Sequence, residues 1–306
     1  MIELQSLSDL DIIDYLEIFN STVQVSNLLG ISQSSCSRRY RALSDSLAIG
    51  FERFDNLYSA SSNLDVLFLL RQASQKIRIR QNKFRYSESW HSTGNEIPNQ
   101  WQNISIKSMD QSLYMNLISN RLIDICCTGI MEYMHVCNAD SFLSSSKPIL
   151  ICNSLLAYPI MEWNYALVAH QDHPLSSKSN LAVEDLKKYP SLGLQFGSSP
   201  AFMAQITKHG LGSSPYGLSK YDLHRWEAFS KDGYSLSYAP YHQLPSLKNK
   251  FNLVPLNYDL NLKELISIVG LSDVVSSQAF FDSYGEFCKN LKNSSLYTDS
   301  SINWYI

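Results

Sequence analysis

The chain is poor in several features that would assign it to a class at once. Its 306 residues include only six cysteines. Cys36, Cys126, Cys127, Cys137, Cys152 and Cys288 form no C-x-x-C pair and have no zinc-type histidine spacing. That argues against structural zinc and a disulfide framework, and fits a reducing cytoplasm. No apolar run approaches the ~20 residues needed to span a bilayer, and LDVLFLL at 64–70 falls far short. The first twenty residues lack a basic start before an apolar core, so no secretory leader and no membrane partner is expected. The N-x-[ST] triplets at Asn20, Asn103 and Asn293 then read as chance. Twelve glycines and ten prolines exclude a collagen-like or linker-dominated chain. Charged residues make up 17%, below the usual ~25%, but 44% apolar residues exclude intrinsic disorder. No G-x-S-x-G, G-x-G-x-x-G or Walker loop occurs. With 48 serines, any one serine is weak evidence for a nucleophile. No enzymatic activity, cofactor or metal is therefore expected.

What is present is a length suited to about two domains and an uneven charge distribution. Residues 1–32 hold Glu3, Asp9, Asp11, Asp14 and Glu17 and no Lys or Arg. Residues 33–85 hold ten basic residues against four acidic ones. The rest of the chain is mildly acidic, so the net charge is only −3. Concentrated basic charge suggests a local surface for a polyanion, with a solvated helix face as the alternative.

The first 60 residues read as a helix-turn-helix. Ile12, Leu16 and Phe19, with Ile13 alongside, give one helical face, broken at Asn20-Ser21-Thr22. A short second helix carries Val25, Leu28 and Leu29 on one side and ends at Gly30, which tolerates positive φ. Ser32 is an N-cap for a third helix from Gln33 to about Leu47. Cys36, Tyr40, Leu43 and Leu47 would point inward, and Gln33, Ser34, Ser37, Arg38 and Arg41 outward. Gln, Ser and Arg near a helix N-terminus suit base edges and phosphates in a major groove.

These residues carry a resemblance. The segment VSNLLGISQSSCSRRYRAL (25–43) is similar to the recognition region of LysR-type transcriptional regulators, matching at Leu28 or Leu29, Ser32, Gln33, Ser34, Ser35, Ser37, Arg38 and Leu43. It departs in having Val25-Ser26 for the family's Ala pair, Ser34 for the usual Pro and Ser44 for the Glu. Phe51-Glu52-Arg53-Phe54 resembles the family's wing segment in reworked form. The resemblance implies a winged helix-turn-helix over 1–60, with Ser32, Gln33, Ser34, Ser35, Ser37, Arg38, Arg39, Arg41 and Arg53 meeting double-stranded DNA.

A long helix is expected next, since 61–84 contains no Pro or Gly. Leu64, Leu67, Leu70, Ala73, Ile77 and Phe84 form a stripe near helical period. Its length would be about 36 Å at 1.5 Å per residue. The resemblance implies a dimerisation linker over 61–85 and a homodimer or homotetramer. Packing within the domain is the alternative.

The remaining chain alternates apolar strand-like runs (104–109, 122–130, 165–170, 191–196, 234–240, 252–256, 264–270) with helical stretches (111–120, 200–210, 277–291). That argues an α/β domain with a mostly parallel sheet. Leu122-Ile123-Asp124-Ile125, the segment Val168 to Leu175, Leu186 to Pro190 and Gly233 to Pro240 resemble, in order, segments of the LysR-type effector domain. The implied fold is periplasmic-binding-protein-like over 86–292. One subdomain would comprise 86–160 and 252–292, the other 161–251, and 293–306 would form a C-terminal tail.

In that fold a ligand lies between the subdomains, near strand ends and helix N-termini. Candidates for holding a small-molecule effector are Trp90, His91, Ser92, Thr128, Gly129, Gly197, Ser198, Ser199, Trp226 and Tyr238. Amides and hydroxyls at 197–199, just before a helix, suit an organic acid. Packing and capping are the alternative roles for each. His170 and His173 have H-x-x-H spacing but fall on a strand end and turn. Of Cys126 and Cys127, adjacent in a strand, at most one faces a cleft. The functional expectation is a cytoplasmic, effector-controlled transcriptional regulator. The alternatives are a solute-binding protein or an interaction protein without DNA binding on the same α/β fold.

Overall fold

A computed structural model describes residues 6–54, 57–89, 97–106, 111–133, 148–152, 154–194, 199–216 and 227–306. The N-terminal unit is three helices and a hairpin: α1 (Ser6–Phe19), α2 (Thr22–Leu29), α3 (Gln33–Leu47), β1 (Phe51–Phe54) and β2 (Leu57–Ala60). Local chemistry sets the boundaries. Ser21 and Ser32 cap α2 and α3, accepting from the amides of Gln24 at 3.3 Å and Ser35 at 3.1 Å. Gly30 closes α2 at φ 65°, where a Cβ would be strained. The inward face of α2 is Val25, Ser26 and Leu29, because Leu28 points to solvent. Ser26 fits there by donating its hydroxyl to Val23 O at 2.9 Å. The inward face of α3 follows the expected set: Cys36 and Leu43 are buried, Tyr40 and Leu47 half-buried. The 51–54 segment does form a wing, paired antiparallel with β2 in the register Phe51↔Ala60 to Phe54↔Leu57.

Helix α4 spans Leu64–Arg80, shorter at both ends than the helix expected over 61–84. Phe84, expected on the same helix, lies in β3 (Phe84–Glu88) instead. The inward face of α4 is largely polar: Arg71, Ser74 and Gln75 are buried beside Leu67. Arg71 donates to Asp14 at 2.8 Å and pairs with Glu17 at 3.0 Å. Arg85 on β3 donates to Asp14 at 2.6 Å and also pairs with Asp11. Arg78 and Gln75 donate to Asp124 at 2.8 and 2.9 Å. Arg39 pairs with Asp9. Part of the charge imbalance along the sequence is thus met within the chain, since four of the ten basic residues in 33–85 face acids of α1 or Asp124. Burial alone would lower the Arg85 pKa, but Asp14, Tyr15 and Asp11 outweigh it and keep the guanidinium protonated.

The α/β unit continues with β4 (Trp101–Asn103), α5 (Gln111–Ser119), β5 (Ile125–Gly129), β6 (Ile149–Cys152), β7 (Leu155–His170), α6 (Val183–Leu186), β8 (Leu192–Leu194), α7 (Pro200–Lys208), β9 (Ser214–Tyr216), β10 (Ser237–Pro240), α8 (Leu244–Phe251), β11 (Leu253–Pro255), β12 (Lys263–Leu271), α9 (Ser272–Val275), α10 (Gln278–Asn293) and β13 (Ile302–Trp304). The main sheet runs β10-β7-β12-β5-β3-β4. It is mixed, which corrects the expected mostly parallel sheet. β3 is parallel to β4 and β5, but β12 is antiparallel to β5 and β7, and β10 and β11 are antiparallel to β7. The reason is that β7 is one 16-residue strand. Its first half pairs with β12 and its second half with β10 and β11. A long apolar run cannot show in advance which neighbours it will pair with.

Pro159 offers no amide to the ladder, and the pairing of β7 with β12 slips by one residue at Ile160. Ile160 O instead accepts the Tyr305 amide at 2.9 Å. The tail therefore docks: β13 pairs with β7 and Trp304 packs on Tyr297 at 5.0 Å.

Removing one partner of a fully buried ion pair strands the other charge and costs about 3–5 kcal/mol. Arg85→Ala should lose that much in urea unfolding, whereas Lys76→Ala on the exposed side of α4 should stay within about 0.5 kcal/mol of the parent.

Candidate nucleic-acid interface and ligand cleft

The outward face of α3 is built by its cap and its partner helix. Ser32, Gln33, Ser34, Arg38 and Arg41 are exposed, while Ser35, Ser37 and Arg39 are half-buried. Gln33 Nε2 donates to Thr22 Oγ1 at 2.9 Å, fixing the start of α3 on α2. Ser32 and Ser34 hydroxyls lie 3.0 Å apart, and Arg38 reaches Ser35 Oγ at 3.4 Å. Arg38 and Arg41 make no ion pair among the described residues. Arg39 differs, being held by Asp9 and turned toward α1. Arg53 lies on β1 opposite Tyr58, its side chain outside the described residues. The wing is fastened at both ends of β2: Asn20 accepts from the Tyr58 amide at 2.5 Å and Glu17 from the Ala60 amide at 3.1 Å.

The linker helix presents a second surface. Leu67 and Leu70 of the expected stripe pack against the winged unit. Ala73 and Ile77 of that stripe instead lie with Val66 and Leu69 along the solvent side, with Leu69 at 62% exposure. Spacings of three and four make this an apolar seam on one helix face.

The C-terminal end of β5, the middle of β7, the start of β12 and, through Glu132, the N-terminus of α7 converge at a buried junction. Of the expected ligand residues, Trp90, His91, Ser92, Gly197, Ser198 and Trp226 lie outside the described residues. Thr128 and Gly129 end β5 and are fully buried. A Cβ at Gly129 would collide with the Glu264 carboxylate, so a larger residue there would force that side chain out of its place. Ser199 begins α7 in a left-handed conformation (φ 45°) and makes no side-chain cap. Tyr238, expected on the rim, is 2% exposed; its hydroxyl donates to Leu192 O at 2.7 Å and its ring packs on Phe202.

The sequence reading missed four residues at this junction. Glu264 accepts from Tyr165 Oη at 2.6 Å and Gln111 Nε2 at 3.0 Å. Its neutral form is favoured, and its pKa is pushed up to about 7 by burial and, to a lesser degree, by Glu132. The Glu132 carboxylate accepts from the amides of Ala201 at 2.7 Å and Phe202 at 3.1 Å. The sign of Glu264 was available as a lone acid opening the apolar strand ELISIVG. Glu132 gave none, because its partners are backbone amides seventy residues away.

The other chemistry weighed from the sequence is engaged elsewhere. His173 accepts from the Leu175 amide at Nδ1 and lies 3.1 Å from Tyr234 O at Nε2, so both ring nitrogens have protein partners. Cys126 and Cys127 are both buried in β5, and burial pushes both thiols up, against thiolate chemistry.

Comparison with known proteins bears on both surfaces. No family model matches the chain. It is 26% identical over 199 residues to the HTH-type transcriptional regulator CysB of Haemophilus influenzae, covering 60% of this chain. The match spans 59% of that relative's length. Full-length OxyR from Pseudomonas aeruginosa shares the fold with a TM-score of 0.59 at 12% identity, over 95% of both chains. CbnR, described as a LysR family transcriptional regulator, has a TM-score of 0.52 at 10% identity, over 94% of this chain and 99% of that one. The chain shares the fold of these two regulators. The full-length likenesses run through both the helical unit and the α/β unit. Among the described residues, no helix is long and apolar enough to cross a membrane.

Glu264 makes this junction sensitive to pH. Its folded pKa of about 7 exceeds its ordinary 4.5. Its stabilising effect is complete below about 4.5 and is lost as pH rises to about 7. His173 and His242, lowered by burial, work in the opposite sense over part of that range. The measurement is therefore a difference. Stability of the parent relative to Glu264→Gln should fall on the order of 3 kcal/mol between pH 4.5 and 7, read from urea unfolding at stepped pH.

Proposed function

We propose that the protein is a DNA-binding transcriptional regulator controlled by a small molecule bound at the cleft. The observation that carries this is the exposed Gln33–Ser34–Arg38–Arg41 face of α3. A capped helix showing an amide, a hydroxyl and two cations near its start suits base edges and flanking phosphates. Arg53 on the wing would add a backbone contact, and Ser32, Ser35 and Ser37 short polar ones. Arg39 acts chiefly by holding α3 on α1.

Pairing of the Val66–Leu69–Ala73–Ile77 seam with a second copy would set two α3 helices apart on one face of the duplex, in a homodimer or a tetramer built from it. The effector would bind beside Thr128, Gly129 and Ser199, with Trp90, His91, Ser92, Gly197, Ser198 and Trp226 as further contacts; an organic acid fits the N-terminus of α7. Control requires the effector to bind two arrangements of the chain unequally. A cytoplasmic location follows from this role.

In a gel shift on the DNA flanking its own coding region, affinity should fall steeply with salt, as phosphate contacts demand. Arg38→Ala/Arg41→Ala should weaken binding at least 10-fold and reduce the salt slope by about two, given ~1 per phosphate contact. Unchanged binding by that variant would sink the reading, and no binding by the parent would leave a solute-binding or interaction role. Separately, Leu69→Glu should convert the dimer to monomer in sedimentation equilibrium while leaving the far-ultraviolet circular dichroism unchanged.

A further inference from the structure

Helix α10 carries two stripes. Phe280, Ser283, Phe287 and Leu291 are buried, with Phe287 stacked on Trp101 and Phe280 against Tyr158. Beside them Phe281, Tyr284, Gly285 and Cys288 share a flanking face, at spacings of three and four. That flank, with Tyr158 and Pro159 of β7 and Tyr305 of the docked tail, lines a cavity of about 280 Å³. The rings of the wall are held in place. Tyr158 Oη donates to Val275 O at 3.2 Å, and its ring meets those of Tyr284 at 5.7 Å and Phe281 at 6.0 Å. Tyr284 is stacked on Phe280 at 5.4 Å. The Tyr305 backbone is fixed by its amide, which donates to Ile160 O at 2.9 Å. Gly285 is the unexpected member. It lies mid-helix without a positive φ, and a Cβ there would meet nothing within 4 Å. Glycine is the least favourable helix residue after proline, and neither backbone nor packing calls for it here. The effect of its missing side chain is to leave the cavity open.

We propose that this cavity is a binding site for a small neutral aromatic molecule of one or two fused rings. The chemistry of the wall selects that class. Tyr158, Phe281, Tyr284 and Tyr305 present rings to the space. Tyr284 and Phe281 lie at 54° and 80° to Tyr158, which offers an entering ring both stacked and edge-to-face partners. No Asp, Glu, Lys, Arg or His among the described residues lines the cavity. An ionised group entering would shed its hydration without meeting a counter-charge. Burial pushes the Tyr284 hydroxyl and the Cys288 thiol up, so the wall itself is neutral. The volume lies just below the ~300 Å³ at which pockets for larger ligands begin, which limits the occupant to one or two rings. A bound ring touches α10, β7 and the tail together, and so fastens the tail to the sheet. The site shares no residue with the junction around Glu264. Its occupancy requires neither DNA binding nor an effector between the subdomains.

The probe is indole, with cyclohexanol as the neutral non-aromatic control and indole-3-carboxylate as the charged one, each titrated into the full chain by calorimetry. Indole should bind saturably at one site, and each control about 10-fold more weakly, the equivalent of one or two aromatic pairs. Gly285→Leu should fill the cavity and weaken indole binding by about the same factor, while holding or raising the thermal midpoint because leucine favours the helix. No saturable indole binding by the parent, undiminished binding by Gly285→Leu, or a control bound as well as indole overturns the proposal. Should Gly285→Leu not fold, the half-buried Cys288 of the parent decides. Indole should slow its alkylation by iodoacetamide several-fold, read by peptide mass, and an unslowed rate would be equally fatal.

Discussion

The buried carboxylate–guanidinium cluster around Asp14 holds the molecule in its present form. Asp14 receives Arg71 from the linker helix and Arg85 from the first strand of the α/β unit. Three separate elements therefore meet at one residue of α1 with no access to water. Such a cluster adds little net stability over a well-packed apolar substitute, because desolvation offsets most of the Coulomb attraction. Its contribution is specificity. Each arginine has one geometry in which its charge is met, so α1 cannot slide against α4 or β3 without stranding a charge. That fixes where α3, riding on α1 through the Cys36 and Leu43 contacts, is presented relative to the α/β unit.

The same logic operates on a smaller scale at the junction of β5, β12 and α7. Glu264 and Glu132 are both held by neutral donors: a phenol, an amide side chain and helix amides. Neither has a counter-cation among the described residues. A carboxylate without a counter-cation in a low-dielectric junction responds strongly to a proton, as the raised Glu264 pKa reflects. The outer surfaces differ in kind. On α3 the two free arginines keep their hydration, and along α4 apolar groups remain open to water, both arrangements suited to partners rather than to the fold.

Much of the helical unit was legible because its signals are local. Ser32 as a cap, Gly30 as a terminator and the inward set Cys36, Tyr40, Leu43 and Leu47 depend on residues within one or two turns. Where the reading slipped, a distant partner had decided the matter. Leu28 yielded its inward place to Ser26, whose hydroxyl found a carbonyl one turn back. The stripe on α4 rotated because Arg71 and Gln75 were drawn inward by Asp14 and Asp124. The sheet turned out mixed because β7 runs through both halves of it.

Composition and periodicity alone determined that this chain has a helix-turn-helix followed by an α/β unit, and that no familiar catalytic loop is present, since those properties reside in short windows of sequence. Only the tertiary structure decided which charges are free and which are consumed. Arg38 and Arg41 are indistinguishable in sequence from Arg39, Arg71 and Arg85 as members of one basic stretch. The distinction between a free cation and a paired one is made by carboxylates of α1, brought within bonding distance only when the chain folds.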